Sequence, residues 1–473
     1  MSLASEPLSW DPSQLAASPI PLYTQLVYDN LVSYTVDGEL VPSLAEDWEY
    51  DDSQTELTLN IRDDAEFSDG TPVDAAAVVA NLEHFQATPG PKQYTLADVT
   101  DFKAADDNAV VITLSEPNPS LLNDLAQAAG YIAKPDTFDD AEPTGSGPYS
   151  YDPAASRKGT EYVFNKKDDH WSDLATFDVI SVLPITDVTA ALNALKAHEI
   201  DATSLAGPLV EEAKAAGFTQ VRADGQWLGL TIFDRNGAVV PALADAKVRQ
   251  AINYAIDREG MLNTFLGGDG TLTQQVFGFN AEGNDEGLDS TYSYDVDKAK
   301  KLIEEAGYAP GEIVVDMPFV DRYGGPEMMD ALKQMLEAAG ITVNFQQIPP
   351  GVDALTEEVM SGKYPLAMSS YEWSATDWTT IGLLVDENAT WNPLHASDPV
   401  VQDLIGKYQF GTDEERPDIA REINTYTVEQ GWFVPFAWAS PSWLVDPNVA
   451  TTVNGKDFFP YWSHFNLKPA NVG

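Results

Sequence analysis

The stretch of sequence that decides the fold consists of three consecutive segments: DVDKAKKLIEEAGYAPGEIVVDMPFV at 295–320, PEMMDALKQMLEAAGITVNF at 326–345 and VDALTEEVMSGKYPLAMSSY at 352–371. Each begins with apolar residues at helical spacing, and Asp295 can cap the first helix, which Gly307 ends. Pro326 opens the second helix and Gly340 stops it. Strands are predicted at 313–320, at 341–345 and up to Tyr371. This alternation of helices and strands predicts an α/β unit.

The ends of these strands are where the sequence predicts a ligand site. Strands separated by helices of this length form parallel sheets, and open parallel sheets bind ligands beyond the carboxyl ends of their strands. Arg322 follows the first predicted strand. Trp373 and Asp377 follow the last one. An alternative stays open, in which Arg322 and Asp377 are ordinary loop charges and Trp373 fills a core.

Other segments extend the α/β pattern. Strands are predicted at 56–62 and 109–114. A helix is predicted over 72–85, with Pro72 in its first turn. Another helix is predicted over 246–256, followed by Asp257-Arg258 as an exposed ion pair. Because the chain has 473 residues, two or three compact units are expected.

The charge balance narrows the class of partner. Asp and Glu number 75 against 26 Lys and Arg, which gives a formal net charge of −49. The electrostatic field of so large a negative charge repels phosphate backbones and anionic lipid headgroups. Nucleic acid is therefore not an expected partner. The acidity suits a solvated surface of an exported protein, and attraction of cationic ligands is the alternative. We expect the chain to act as a monomer.

The sequence lacks the usual signatures of catalysis and of cofactor binding. It contains no cysteine, no Gly-x-x-x-x-Gly-Lys-Ser/Thr phosphate loop and no Gly-x-Ser-x-Gly elbow. Its five histidines lie far apart in the sequence, without the spacing of a zinc site. We therefore expect no enzymatic activity, no cofactor and no metal site. An acid hydrolase with paired carboxylates is the less favoured alternative.

Several blocks of the chain resemble, in order and spacing, the family 5 extracellular solute-binding proteins of ABC importers, which include oligopeptide, dipeptide and nickel binders. The blocks are Trp10-Asp11-Pro12, Tyr28-Asp29-Asn30-Leu31, 38–48, Ile61-Arg62, 66–73, Gly145-Ser146-Gly147-Pro148-Tyr149, 248–252, Ala255-Ile256-Asp257-Arg258, Tyr294-Asp295 and Ala306-Gly307-Tyr308. Many of these residues also suit turns and helix ends. Most of the shared residues are therefore expected to have a structural role rather than a role in ligand binding.

The resemblance implies an α/β fold of the type II periplasmic-binding-protein class, with two lobes around a hinge and an inserted subdomain. Lobe I would take 1–39, 143–232 and 441–473, lobe II would be the insertion 40–142, and lobe III would be 233–440. Ligands would lie between lobes I and III. A secretion signal and a lipid-bearing cysteine would have been removed from the natural precursor, which would place the protein outside the cytoplasm as a lipoprotein.

The resemblance also implies roles for individual residues. Arg322 is similar to an arginine that holds a peptide carboxylate, and Asp377 to an aspartate that holds the α-ammonium group. The segment between Trp373 and Asp377 is one residue longer than the family's usual spacing, and 378–381 replaces an expected Asp-Pro. Aromatic walls are expected from Trp227, placed before a strand, from Trp373 and from Trp391; packing in a core is the alternative for each.

The function implied is capture of a short peptide and its delivery to a membrane-embedded ABC permease. Because the segment around Asp377 departs from the peptide binders, an oligosaccharide, an opine or a metal chelate stays open as the ligand.

Overall fold

The computed structural model describes residues 1–7, 9–15, 21–35, 38–172, 175–222, 225–279, 281–319, 325–348, 352–372, 376–439, 442–450 and 468–469. The chain forms two compact units, Met1–Ala223 with Pro441–Gly473 and Asp224–Ser440. The first unit is therefore discontinuous in sequence. The finer division into lobes I, II and III stays a prediction.

The strands within the described residues are β1 (Ser2–Leu3), β2 (Val32–Tyr34), β3 (Leu40–Pro42), β4 (Ala45–Tyr50), β5 (Glu56–Ile61), β6 (Val99–Ala104), β7 (Ala109–Leu114), β8 (Tyr149–Tyr151), β9 (Tyr162–Lys166), β10 (Val179–Pro184), β11 (Ala202–Leu205), β12 (Thr219–Val221), β13 (Gln226–Ile232), β14 (Thr271–Leu272), β15 (Ile313–Phe319), β16 (Ile341–Gln347), β17 (Leu366–Glu372), β18 (Phe433–Ala439), β19 (Ser442–Val445), β20 (Val449–Ala450) and β21 (Lys468–Pro469).

The α-helices in the same ranges are α1 (Pro21–Val27), α2 (Ala75–Ala87), α3 (Leu121–Leu125), α4 (Val188–Lys196), α5 (Pro208–Ala215), α6 (Ala246–Ala255), α7 (Arg258–Phe265), α8 (Val296–Glu305), α9 (Gly325–Ala338), α10 (Val352–Met360), α11 (Asp377–Thr380), α12 (Pro399–Phe410) and α13 (Arg416–Glu429). A π-helical turn, Ile381–Val385, continues α11. Among the described residues, no helix is both long enough and apolar enough to cross a membrane.

The first unit contains several small sheets, most of them antiparallel. One has the strand order β1-β10-β9-β8, a second β11-β19-β12, and a third β4-β5-β7-β6. The third sheet lies wholly within the stretch predicted as the insertion, and α2 packs against β6 and β7. Strand β19, which follows the second unit in the chain, pairs with β11 and β12 and so ties the last segment into the first unit.

The second unit is built around two sheets and one large apolar core. Strands β15 and β16 pair in parallel, while the order β14-β18-β13-β17 forms a second sheet in which β13 is antiparallel to both neighbours. The core lies between these strands and the helices, with fully buried Leu230, Val315 and Leu332 among its members. A second apolar cluster gathers Trp227, Trp438 and residues of α12 and α13.

The structure confirms most of the element predictions. Strands β5 and β7 lie at the two predicted positions, and β15 and β16 pair in parallel as expected. Asp295 caps α8 by accepting a hydrogen bond from the backbone N–H of Lys298, and Gly340 has a φ of +96°, which suits glycine at the end of a helix. Strand β17, in contrast, pairs in antiparallel fashion with β13.

Two local predictions are wrong because long-range partners decide them. Helix α2 begins at Ala75 with Asp74 as its cap, and Pro72 instead forms a β-bridge with Glu66. Asp257 and Arg258 do not form an exposed ion pair. Asp257 caps α7, while the buried Arg258 guanidinium donates hydrogen bonds to the carbonyl of Pro435 and to Asn253.

Candidate functional site

Three aromatic side chains form a row across neighbouring strands of the second unit. Trp227 on β13 lies directly opposite Tyr371 on β17 and opposite Trp438 on β18. Residues directly opposite in a sheet project from the same face, so the three rings are neighbours. The ring centroids of Trp227 and Tyr371 are 5.4 Å apart in a stacked arrangement. The register in which β13 pairs with β17 and with β18 thus brings the three aromatic residues together.

A glycine makes room for the central ring of this row. A Cβ atom at Gly229 would lie 2.8 Å from Cη2 of Trp227 and 2.5 Å from the carbonyl oxygen of Val434. The pairing of β13 with β18 shifts register between Leu228 and Gly229. The missing side chain therefore lets the indole of Trp227 lie over the strand, where only 1% of it is exposed.

The polar groups of the row differ in their hydrogen bonding. The indole N–H of Trp227 donates to the carbonyl of Gln275 at 3.1 Å, and the hydroxyl of Tyr371 lies 2.9 Å from that of Thr231. Trp438 is 3% exposed, and its Nε1 atom has no acceptor among the residues that the structure describes. Since a buried N–H normally has a partner, this donor is unusual.

The row lines a small recess, which we call the aromatic recess. Its lining residues are Trp227, Val276, Tyr371, Glu372, Thr380, Leu383, Leu384 and Trp438. The lining residues are mostly apolar or aromatic, with Glu372 and Thr380 as the exceptions. Ligand sites commonly combine an apolar wall with a few polar groups in this way.

Asp377 lies in a different environment from the one predicted for it. It begins α11 rather than lying on a loop, and it is 3% exposed. One carboxylate oxygen, Oδ2, accepts a hydrogen bond from the backbone N–H of Gly283 at 3.0 Å. Burial raises the pKa of the nearby Tyr408, and the negative charge of Asp377 raises it further. The carboxylate is thus held in the interior of the second unit.

The Gly283 segment is itself fixed by a buried polar network. The amide nitrogen of Asn424 on α13 donates to the carbonyl of Gly283 at 2.9 Å and to the side-chain oxygen of Gln275 at 2.6 Å. Gln275 in turn exchanges hydrogen bonds with the backbone of Asp285. Asp377 therefore fastens the segment that also supplies the acceptor for Trp227.

The remaining predicted site residues are only partly accounted for. Trp391 is half-buried, and its ring centroid lies 5.9 Å from that of Tyr371, beside the aromatic row. Trp227 lies within β13 rather than before it. Arg322 and Trp373 lie outside the described residues. The structure thus places Trp227 and Trp391 around Tyr371.

The sequence prediction missed Tyr371, Glu372 and Trp438. In the sequence, Tyr371 marks only the end of a predicted strand, two residues before Trp373. The signal for Trp438 is weaker, because the run FVPFAWA at 433–439 is apolar on both faces and is typical of a buried strand. Only strand pairing brings Trp438 beside Trp227. Over the described residues, no three His, Asp or Glu side chains converge as a metal site.

Comparisons with known proteins agree on one family. The family model described as bacterial extracellular solute-binding proteins, family 5 Middle, matches residues 39–386. The chain is 28% identical over 472 residues to the nickel-binding periplasmic protein of Escherichia coli strain K12, covering 91% of this chain and 87% of the relative. It is 28% identical over 389 residues to a probable D,D-dipeptide-binding periplasmic protein of the same strain, covering 78% and 73%.

The fold agrees with solved structures as well. AgaA from A. tumefaciens R10, determined in complex with agropinic acid, superposes with a TM-score of 0.78 at 25% identity, covering 100% of this chain and 98% of AgaA. The predicted fold class, α/β of the periplasmic-binding-protein type, is confirmed by this likeness.

Proposed function

The chain belongs to the bacterial extracellular solute-binding proteins of family 5, which are substrate-binding proteins of ABC importers, and from this membership we propose that it captures a short peptide and delivers it to a membrane permease. The observation that carries the proposal is the family match over residues 39–386. The likeness to a D,D-dipeptide-binding protein over 78% of the chain supports a peptide as the first ligand to test.

Within the described residues, the aromatic recess is the part of the second unit best suited to contact such a solute. Flat aromatic walls give apolar contact with little loss of conformational entropy, and they accept different side chains. The 3% exposure of Asp377 and its bond to Gly283 favour a structural role for that carboxylate. Capture of peptide termini by Arg322 and Asp377 stays a prediction, and the Asp377→Ala variant below tests the part that concerns Asp377.

Opines and metal chelates are the second candidate class of ligand. Two observations favour them: the likeness to AgaA, solved with agropinic acid, and the likeness to a nickel-binding protein over 91% of the chain. An oligosaccharide would also suit aromatic walls. These ligands differ in mass and charge, so a direct analysis of the bound solute separates them.

The remaining parts of the proposal follow from family membership. We propose that the protein works outside the cytoplasm, held to the membrane by a lipid in its natural precursor. It would act as a monomer, would bind its solute without turnover and would use no cofactor. Its formal net charge of −49 favours partners other than nucleic acid.

Native mass spectrometry of the gently purified protein tests this proposal. The expected result is a population carrying one small organic solute per chain, which is released unchanged when the protein unfolds. Adding that solute back at about 100 times its dissociation constant should raise the free energy of unfolding by about 2.7 kcal/mol. A solute that is consumed during the incubation, with more than one equivalent converted per chain, would overturn the binding-only proposal.

A further inference from the structure

Buried arginine residues of the second unit differ in how their charge is compensated. Arg249 donates four hydrogen bonds to backbone carbonyl oxygens, and Arg258 donates three to backbone and side-chain oxygens. Arg416 forms an ion pair with Asp413 at 2.6 Å. These oxygens replace the water that a charge loses when it is buried. Arg235, which is as buried as the other three, has no comparable set of acceptors.

The guanidinium group of Arg235 is poorly coordinated by the protein. Its Nη2 atom donates one long hydrogen bond, of 3.4 Å, to the carbonyl of Ala396, and its Nε atom is buried with no acceptor among the described residues. Nη1 also has no acceptor in that part of the chain, but unlike Nε it is not fully shielded from solvent. One edge of the group can therefore be reached from outside, through the 6% of the residue that is exposed.

The ring of Trp432 determines which side of Arg235 needs a partner. Cζ of Arg235 lies 4.3 Å from the centroid of that ring, in a cation–π arrangement. The N–H groups lie in the plane of the guanidinium and point away from the covered face. Stacking on Trp432 therefore leaves the edge of the guanidinium in need of acceptors.

The charge close to Arg235 is not balanced by the nearest groups. Nη1 of Arg249 lies 3.3 Å from the backbone carbonyl oxygen of Arg235 and adds a second positive charge. The neighbouring carboxylate of Asp398 accepts hydrogen bonds elsewhere, from the backbone N–H of Val400 at 2.9 Å and from the hydroxyl of Tyr426 at 2.8 Å. Burial lowers the pKa of Arg235, the charge of Arg249 lowers it further, and Asp398 does not restore it. An uncompensated buried cation is costly, so a counter-ion would stabilise the fold.

We propose that the exposed edge of Arg235 binds a small monovalent anion, either chloride or a simple carboxylate such as formate. Because only one edge of the guanidinium is accessible, a bulky anion does not fit. The formal net charge of −49 repels anions at long range, but the Debye length at physiological salt is about 8 Å, so the adjacent guanidinium groups dominate. The site uses none of the residues that line the aromatic recess, and the proposal is independent of solute capture.

The test compares sodium chloride, sodium formate and sodium gluconate at one sodium concentration and one ionic strength. The matched conditions are needed because any salt screens the repulsion within so acidic a chain. Gluconate is the bulky reference anion. Urea unfolding gives the ratio of folded to unfolded protein, and broadening of the ³⁵Cl resonance reports bound chloride directly and yields its dissociation constant.

Two variants locate the bound ion. Arg235→Met removes the charge and keeps an unbranched side chain. Arg421→Met is the matched control, because Arg421 is exposed and pairs with Asp418 on the same helix.

Chloride at about ten times its dissociation constant should raise the folded-to-unfolded ratio at a fixed urea concentration about tenfold over gluconate. Formate should act in the same direction, and the larger of the two effects identifies the ion as inorganic or as a carboxylate. Arg235→Met should lose the difference between anions and the ³⁵Cl broadening, whereas Arg421→Met should keep both.

Equal unfolding in all three salts, or ³⁵Cl broadening that Arg235→Met leaves unchanged, would overturn the proposal. If Arg235→Met does not fold, Arg235→Lys assigns the Arg235 Nε–H signal in spectra of ¹⁵N-arginine-labelled wild-type protein. Chloride should shift that signal relative to gluconate, and a signal that stays in place would equally overturn the anion site.

Discussion

The Asp377 carboxylate and the Trp438 indole belong to the same compact unit and are equally buried, at 3% exposure each. The carboxylate accepts a hydrogen bond from Gly283 and is tied through it to Asn424 and Gln275. The indole lines the aromatic recess and has no acceptor within the described chain. The comparison teaches that equal burial does not mean equal hydrogen bonding, so the role that the resemblance implies for Asp377 stays a prediction, which the variants below test.

The largest expected effect is on stability, from Asp377→Ala. Removing the carboxylate leaves the buried N–H of Gly283 without its acceptor and opens a small cavity, so the free energy of unfolding should fall by about 2–4 kcal/mol. Asp403→Ala is the control, because Asp403 forms an exposed ion pair with Lys407 and should cost less than about 0.5 kcal/mol. Urea unfolding measures both.

The opposite outcome for Asp377 would break the comparison. If Asp377→Ala unfolds like the wild type but loses peptide affinity by about 30-fold, the carboxylate is a ligand contact, as the resemblance to peptide binders implies.

Gly283→Ala should be the next largest effect on stability. The added Cβ would lie 2.8 Å from Phe277 Cδ1, 2.9 Å from Ala420 Cβ and 3.1 Å from an oxygen of Asp377. Overpacking of this kind costs about 1–3 kcal/mol. Gly406→Ala meets no atom within 4 Å and lies inside α12, so it should instead stabilise by about 0.5–1 kcal/mol. Thermal unfolding of the two variants gives opposite shifts if the network is as tightly packed as described.

A matched pair of tryptophan variants sharpens the contrast within the aromatic row. Trp227→Phe removes the donor that satisfies the carbonyl of Gln275, and should cost about 1 kcal/mol more than Trp438→Phe, whose donor has no acceptor to lose. Both changes remove a similar volume from the same face of the sheet. Equal losses in urea unfolding would mean that the Trp438 N–H is satisfied after all.

The smallest effect is expected from a surface carboxylate in the first unit. A hydrogen bond from Lys134 and a second from Thr71 lower the pKa of Asp69 to about 2. A depressed folded-state pKa gives stability that is present above the unfolded value, near 3.9, and is lost as pH falls towards 2. Because the pair is substantially exposed, the loss should stay below about 1 kcal/mol, and Asp69→Asn should abolish it in acid titrations of stability.

The sequence predicted best what is local. The Asp295 cap, the end of α9 before Gly340 and the two strands at β5 and β7 need only neighbouring residues to be recognised. It failed at Pro72 and Arg258, whose partners Glu66 and Pro435 are supplied by the fold.

In the candidate site, too, local features could be predicted from the sequence and long-range contacts could not. Trp227 could be named from its type and its place near a strand. Its neighbours Tyr371 and Trp438 could not, because their meeting depends on the register of three strands that are distant in sequence. The buried Asp377 likewise contacts Gly283, which is distant in sequence. No local sequence pattern predicts that contact.

The most direct test of solute capture without turnover is to incubate the protein with ten equivalents of the co-purified solute and measure free, bound and altered solute by mass spectrometry. The account predicts one equivalent bound per chain, nine free and all ten chemically unchanged. Conversion of more than one equivalent per chain, or no bound solute at all, would contradict it.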